Sequence, residues 1–410
     1  MRAHAKILAA AALLAGLASA AAAQAEPPLE VAPQAEGTRS QTWAAVAWAA
    51  EAKCWLVAWR EGDLNEQVSD IWCARVSADG KALDPAGIRI TKGKGLKDRP
   101  KVASDGKGFL VVWEDLRNGK DWDVYGARLS GEGKVQDENG FVVAGGEHNQ
   151  CRPDAAFGDG SYHVTWMAFT GKDDPAAPVA GYSVFRCAVP GAGAAAEPKS
   201  STVATGDDAT LMCHPVAATG GGKVWVACIA MSRGWHGTWG LVVQSAGQTA
   251  TISAKSLGEG LPNADSRGPA LASDGSAALV VLCRNTSAGE YLQLCRLPAP
   301  AGPLAIGGSL SRGHFATSYA LAFDGGSYLL VADHLDKEKR GGHVTVQGWY
   351  FAPDGKAEGD GNGFAVAADP AKDQMLPAVA AGPAGVCLVA YTEVRGADNL
   401  KVLAKVVKNQ

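Results

Sequence analysis

The chain has 410 residues, with 38 Lys and Arg against 42 Asp and Glu, and a formal charge of −4 at pH 7. So weak and acidic a balance excludes the basic field that a nucleic-acid partner requires. Glycine is abundant at 51 and methionine scarce at 5, which suits short strands joined by tight turns. The Ala-rich stretches are too broken by Gly and Pro for long helices.

The chain opens on a positive stretch, MRAHAK, followed by the apolar run Ile7 to Ala20 and by Ala23-Gln24-Ala25, an A-x-A site. That order is a secretory signal peptide over residues 1–25. The run is short and mostly Ala, so a membrane anchor fits it less well. No Cys follows it for lipid attachment, and no later run is long enough to span a bilayer. Losing Arg2 and Lys6 with the signal takes the formal charge from −4 to −6. A secreted or periplasmic location is expected.

The remainder repeats itself. Seven apolar runs end at Trp59, Trp113, Trp166, Cys228, Leu282, Ala332 and Tyr391, with spacings of 54, 53, 62, 54, 50 and 59. A unit of about 55 residues is close to the range of propeller blades. Each run is preceded by a second, small-residue run. These begin near residues 44, 100, 153, 215, 269, 319 and 377, mostly at proline, as in PKVASDG and PALASDG. A DG or GG turn joins most of the pairs, as in a hairpin. A third run follows a variable loop, as in DIWCARV, DVYGARL and VTVQGWYF, and a fourth follows a turn, as in GIRI, GFVV and GFAVA. A spaced Asp and Gly sits between them at Asp84/Gly87, Asp137/Gly140 and Asp360/Gly363.

Four antiparallel strands, a to d, repeated seven times predict an all-β, seven-bladed β-propeller. Strand a is mostly Val and Ala, while b and c carry Trp, Tyr, Leu and Phe, as blades converging on an axis require. The last copy runs out at Gln410 after strand c. Leu29 to Ala32 is therefore expected to supply the missing strand and close the ring, which removes two exposed edges. Length alone would suggest two or three domains; the repeats instead join residues 26–410 in one.

The texts VVWEDLR and DVYGARL, with the Asp-Gly-Lys turn, resemble a repeat of secreted bacterial propeller proteins of unassigned activity. The resemblance covers nearly all of the mature chain and implies a fold and an exported life, not a reaction. GH…WD pairs, kelch Gly doublets and the sialidase Asp-box are absent.

Propeller topology puts the d–a connections and b–c loops on one face, where ligands commonly meet a rigid scaffold. At the entries to strand a stand Arg99, Arg152, His214, Arg267 and Tyr319; at the ends of strand b stand Glu61, Glu114, Asp115, Asp333, His334 and Glu393. Equivalent positions circle the axis, so the basic set could converge on an anion such as a carboxylated glycan, which Arg grips with its planar fork. Each could equally bond a neighbouring blade's carboxylate or carbonyl. The copy-four loop RGWHGTW, Arg233 to Trp239, could stack its rings on a sugar or tuck them beneath the loop.

The expected function is an exported module that binds an acidic glycan or a protein partner. The alternative is a propeller glycoside hydrolase or polysaccharide lyase, for which Glu61, Asp115, Asp333 and Glu393 are the available carboxylates. No catalytic triad can be assigned. His334 and His343 flank a loop that could hold a metal, although a solvated loop explains them as well. No cofactor, metal or nucleic-acid partner is expected. The nine cysteines show no CxxC spacing. In an exported chain some of them could pair, or they could serve as small buried apolar residues.

Overall fold

In a computed structural model the chain is described over residues 27–33, 39–62, 67–170, 181–193, 198–207, 210–232, 240–245, 248–253, 268–286, 289–297, 306–310, 318–335 and 343–409. Seven antiparallel sheets of four strands each stand in chain order. Blade 2 shows the pattern: strand a is Lys97–Ser104, b is Gly108–Asp115, c is Asp123–Ser130 and d is Phe141–Ala144. The a strands of the other blades are Gln41–Ala49, Gln150–Gly158, Thr210–Gly220, Ala270–Ser273, Tyr319–Phe323 and Gln374–Ala381. Each a strand touches the a strands of the blades before and after it, and the seventh touches the first. The sheets therefore form a closed ring.

Period-two alternation explains the uninterrupted apolar text of strand b, because both of its faces are buried. Phe109, Val111 and Trp113 pack against blade 1, whereas Leu110 and Val112 pack against blade 3. Equivalent clusters fill the other five junctions. No helix of the described residues is long and apolar enough to cross a membrane.

Arginines of strand c staple the outer ring. Arg75 donates Nε and Nη2 to the two oxygens of Asp84, at 2.9 and 2.8 Å, and Nη1 to Gly131 O on the next blade at 3.0 Å. Arg128 repeats this with Asp137 and reaches Gly193 O at 3.0 Å. At the equivalent position Arg296 reaches Pro353 O, again one blade on. The AR text of strand c is thus a blade-to-blade tie. Burial alone would raise the Asp137 carboxyl, but the hydrogen bonds and charge of Arg128 hold it below the usual carboxylate range.

The ring closes as expected. Leu29–Glu30 pairs with the last strand, Asn399–Lys408, with Leu29 opposite Ala404 and Glu30 opposite Leu403. Val31 and Ala32 then bury against Trp55 and Leu388. A mature chain trimmed to begin at residue 34 is expected to lose about 3 kcal/mol, from the burial of Val31 and the lost ladder bonds. Urea unfolding measures this, and an unchanged midpoint would show that the seventh blade stands on three strands.

All nine cysteines are free thiols, eight buried and Cys151 half-buried. The apolar reading of these residues therefore holds. Burial pushes Cys151, Cys187, Cys228 and Cys387 up to about 12, so none of the four is a thiolate at neutral pH.

Candidate functional site

Strand a of blade 2 does not begin at Pro100. It begins three residues earlier, with Lys97 opposite Asp115 and Asp98 opposite Glu114. The register then jumps to Lys101 opposite Val112, which leaves Arg99 and Pro100 together against Trp113. This is a β-bulge, in which two residues face one and the strand re-aims a side chain. The same jump occurs in blades 1, 3, 4 and 7. Its first residue is left-handed every time: Trp43 at φ 56°, Arg99 at 51°, Arg152 at 55°, His214 at 52° and Leu376 at 54°. The second is proline in four of the five, since a bulge asks for no N–H there. Non-glycine residues in this region carry about 1–2 kcal/mol of strain each, and such strain persists where the surroundings impose it.

The bulges turn this ring of residues onto the axis. Together with Gly268, Ser318 and Tyr319 from blades 5 and 6, they line a central cavity of about 370 Å³. That lies within the usual range of small-ligand sites. Strand a starts beside the end of strand b, so the ring of bulges is the mouth on the face of the d–a and b–c connections.

The charge on this ring is lopsided. Arg99 stacks on Trp43, with its guanidinium carbon 4.4 Å from the ring centre. Its Nε is 3.8 Å from Glu114 and 3.9 Å from Asp98, both too long for hydrogen bonds. Glu114 instead accepts the backbone N–H of Arg152 at 2.7 Å. Burial pushes its carboxyl up, against that hydrogen bond and the charge of Arg99. The guanidinium of Arg152 makes no hydrogen bond or ion pair with the described residues. Burial and the neighbouring Arg99 charge hold its pKa below the ordinary arginine value. Two cations therefore share one side of the mouth, one loosely paired and one unpaired.

His214 stands beside them but adds no charge. Burial, then Arg152 and Arg99, push its pKa down to about 3. It is neutral in the folded chain at pH 5, whereas the unfolded chain titrates near pH 6.5. The unfolded state then binds more protons, so the site loses stability as pH falls below about 6.5. NMR of the His214 ring is expected to show no titration between pH 5 and 8. A midpoint near 6 would mean that the two arginine charges do not reach it.

The other predicted residues take different places. Asp333 accepts the backbone N–H groups of Ser318 at 2.8 Å and of Leu376 at 3.3 Å, and so latches blade 6 to the bulge of blade 7 as Glu114 latches blade 2 to that of blade 3. Asp115 is wholly buried; it accepts Trp113 Nε1 at 2.8 Å and is clasped by Arg117, away from the cavity. His334 ends strand b half-buried and does not line the cavity. Arg267 and the loop Arg233 to Trp239 lie outside the described residues. The register gives the fifth position of the ring to Gly268, one residue after Arg267. Of the carboxylates available for hydrolysis, Glu61 accepts Gln41 and Trp59, and Glu393 binds Lys372, Arg395 and Gln374.

Four cavity residues were not legible in sequence: Trp43, Leu376, Lys101 and Asp154. Blade 1 has no proline, and its longer a–b turn puts Trp43 sixteen residues before Trp59, against fourteen from Arg99 to Trp113. Spacing therefore hid the equivalence. Lys101 and Asp154 follow the prolines directly, where a bulge-free strand gives no reason to place them on the axis.

The architecture defines a seven-bladed β-propeller with a charged axial mouth. No protein-family model matches the sequence, and neither does any curated protein. Among solved structures the chain is similar to a protein of unknown function from Dyadobacter fermentans, at 11% identity and a TM-score of 0.54, over 94% of this chain and 99% of that one. It is also similar to the parainfluenza virus 5 hemagglutinin-neuraminidase ectodomain, at 8% identity and a TM-score of 0.50, over 93% and 84% of the two chains. An α-L-arabinofuranosidase from Fusarium graminearum, in complex with an iminosugar inhibitor, gives 8% identity and a TM-score of 0.50 over 94% and 98%. At such identities these likenesses establish the fold.

Proposed function

We propose that this protein is an exported binding module whose axial mouth takes an acidic glycan. One observation carries the reading. Arg99 and Arg152 are turned onto the axis from adjacent blades by strained bulges, and the guanidinium of Arg152 has no partner among the described residues. A guanidinium left unpaired in a half-enclosed site suits a carboxylate, which it grips with two parallel hydrogen bonds. The neighbouring aromatic and apolar residues, Trp43, Tyr319 and Leu376, suit the ring faces of a sugar. A hydrolase or lyase gains no comparable support. Asp115, Glu61 and Glu393 are engaged in buried local hydrogen bonds, and Asp333 holds two backbone amides. The test is an array of acidic and neutral glycans probed with the purified mature chain and with an R99A/R152A variant. Retention of acidic glycans by the wild type, lost in the variant, supports the reading. No binding, or binding unchanged in the variant, removes it.

A further inference from the structure

We infer that the cavity holds a second recognition level below the mouth, built by Lys101 and Asp154, and that the ligand is the end of an oligouronate chain with carboxylates on successive sugars. This rests on the acidic-glycan reading above and specifies its substrate class.

The ring of residues two places after each bulge forms this level. Register fixes its members, because each faces the strand b residue just before the anchor, as Lys101 faces Val112 and Asp154 faces Thr165. The ring has seven members, all described, and all line the cavity. Five are Ala or Val; the two charged ones, Lys101 and Asp154, fall on adjacent blades, the same two that carry Arg99 and Arg152. A charged stripe thus runs down one wall of the bore for two levels, while the opposite wall is apolar. A ligand that fits has an acidic edge and an apolar face, which is the shape of a uronate ring.

The two levels are two residues apart on strand a, roughly 6–7 Å along an extended chain. Lys101 is exposed within the bore and makes no hydrogen bond or ion pair with the described residues. Its ammonium is free to meet a second carboxylate below the one held by the arginines. Asp154 uses one oxygen to accept the Ala217 N–H at 2.9 Å. Its other oxygen can accept a sugar hydroxyl, which separates a uronate from a bare dicarboxylate. Because the bore lies on the axis and is walled by all seven blades, the chain enters by its end.

The experiment is calorimetric titration of the mature chain with galacturonate, digalacturonate and pimelate, a hydroxyl-free dicarboxylate. Digalacturonate is expected to bind at least tenfold more tightly than galacturonate or pimelate. K101M is expected to bring digalacturonate within threefold of galacturonate while leaving galacturonate within twofold of wild type. Equal affinity for the monomer and dimer in the wild type, or a dimer advantage that survives K101M, overturns the second level and leaves the acidic-glycan reading standing. Pimelate binding as tightly as digalacturonate overturns the hydroxyl-reading role of Asp154 and the uronate assignment. No binding of any probe overturns the second level together with the reading it rests on.

Discussion

The R99A/R152A variant is expected to bind an acidic glycan at least a hundredfold more weakly than the wild type, with its fold intact. A hydrogen bond to a charged group contributes about 1.5–3 kcal/mol. Two arginines acting on one carboxylate in a half-open mouth therefore contribute about 3 kcal/mol, which is roughly a hundredfold in Kd. Stability changes little, because neither guanidinium holds the blades together: Glu114 latches to the Arg152 backbone N–H, which alanine keeps. Removing both charges also lifts the depression of the His214 pKa that they cause. An R99K/R152K variant should fall between the two, since lysine keeps the charge and loses the planar fork. Raising the salt should weaken wild-type binding more than that of R99A/R152A. Wild-type affinity in the alanine variant, with the same dependence on salt, would falsify the proposed site.

How much of this is legible in the sequence follows from what the residues do. The strand b text FLVVW stands out because both faces of that strand are buried, one against each neighbouring blade. The DVYGARL text is legible for a similar reason. Arg128 must hold Asp137 and reach the next blade at once, so its neighbours recur with it. Closure by Leu29 follows from counting strands. The site is only half legible. Proline marks the bulges in blades 2, 3, 4 and 7, but it reads as a strand start, because a bulge leaves no trace in period-two text. Such a reading places Arg99 at an entry rather than in a strained, re-aimed conformation, and it shifts the fifth slot from Gly268 to Arg267. The carboxylates at the ends of strand b pose a different problem. Glu114 and Asp115 are adjacent in sequence, yet alternation sends one to a neighbouring blade's amide and the other to Trp113 on its own strand.

The spaced Asp and Gly of the c–d turn supports the largest stability effect expected. At Gly140 the backbone is left-handed, with φ 74°, and a Cβ would lie 2.4 Å from the Trp113 ring and 2.9 Å from Gly126 O. The ring cannot step aside. Its Nε1 donates to Asp115 at 2.8 Å, its face stacks on Tyr125, and Arg117 clasps Asp115 while donating to Asn139 O next door. Gly119 is the matched control, with φ 71° and no atom within 4 Å of where a Cβ would stand. Gly119→Ala therefore reports backbone strain alone, about 1 kcal/mol. Gly140→Ala adds overpacking against a pinned core ring, another 1–3 kcal/mol or so by the usual order of magnitude, and is expected to lower stability by about 3 kcal/mol in urea unfolding. Gly363→Ala should behave as Gly140→Ala does, because its Cβ would meet Trp349 Nε1 at 2.4 Å. Equal effects at Gly119 and Gly140 would mean that the turn, and not the tryptophan beneath it, sets the need for glycine. A larger effect at Gly140 and Gly363 ties that need to the anchor ring of the blade, which is why the Asp–Gly spacing tracks the outer-strand text in the copies where it is clearest.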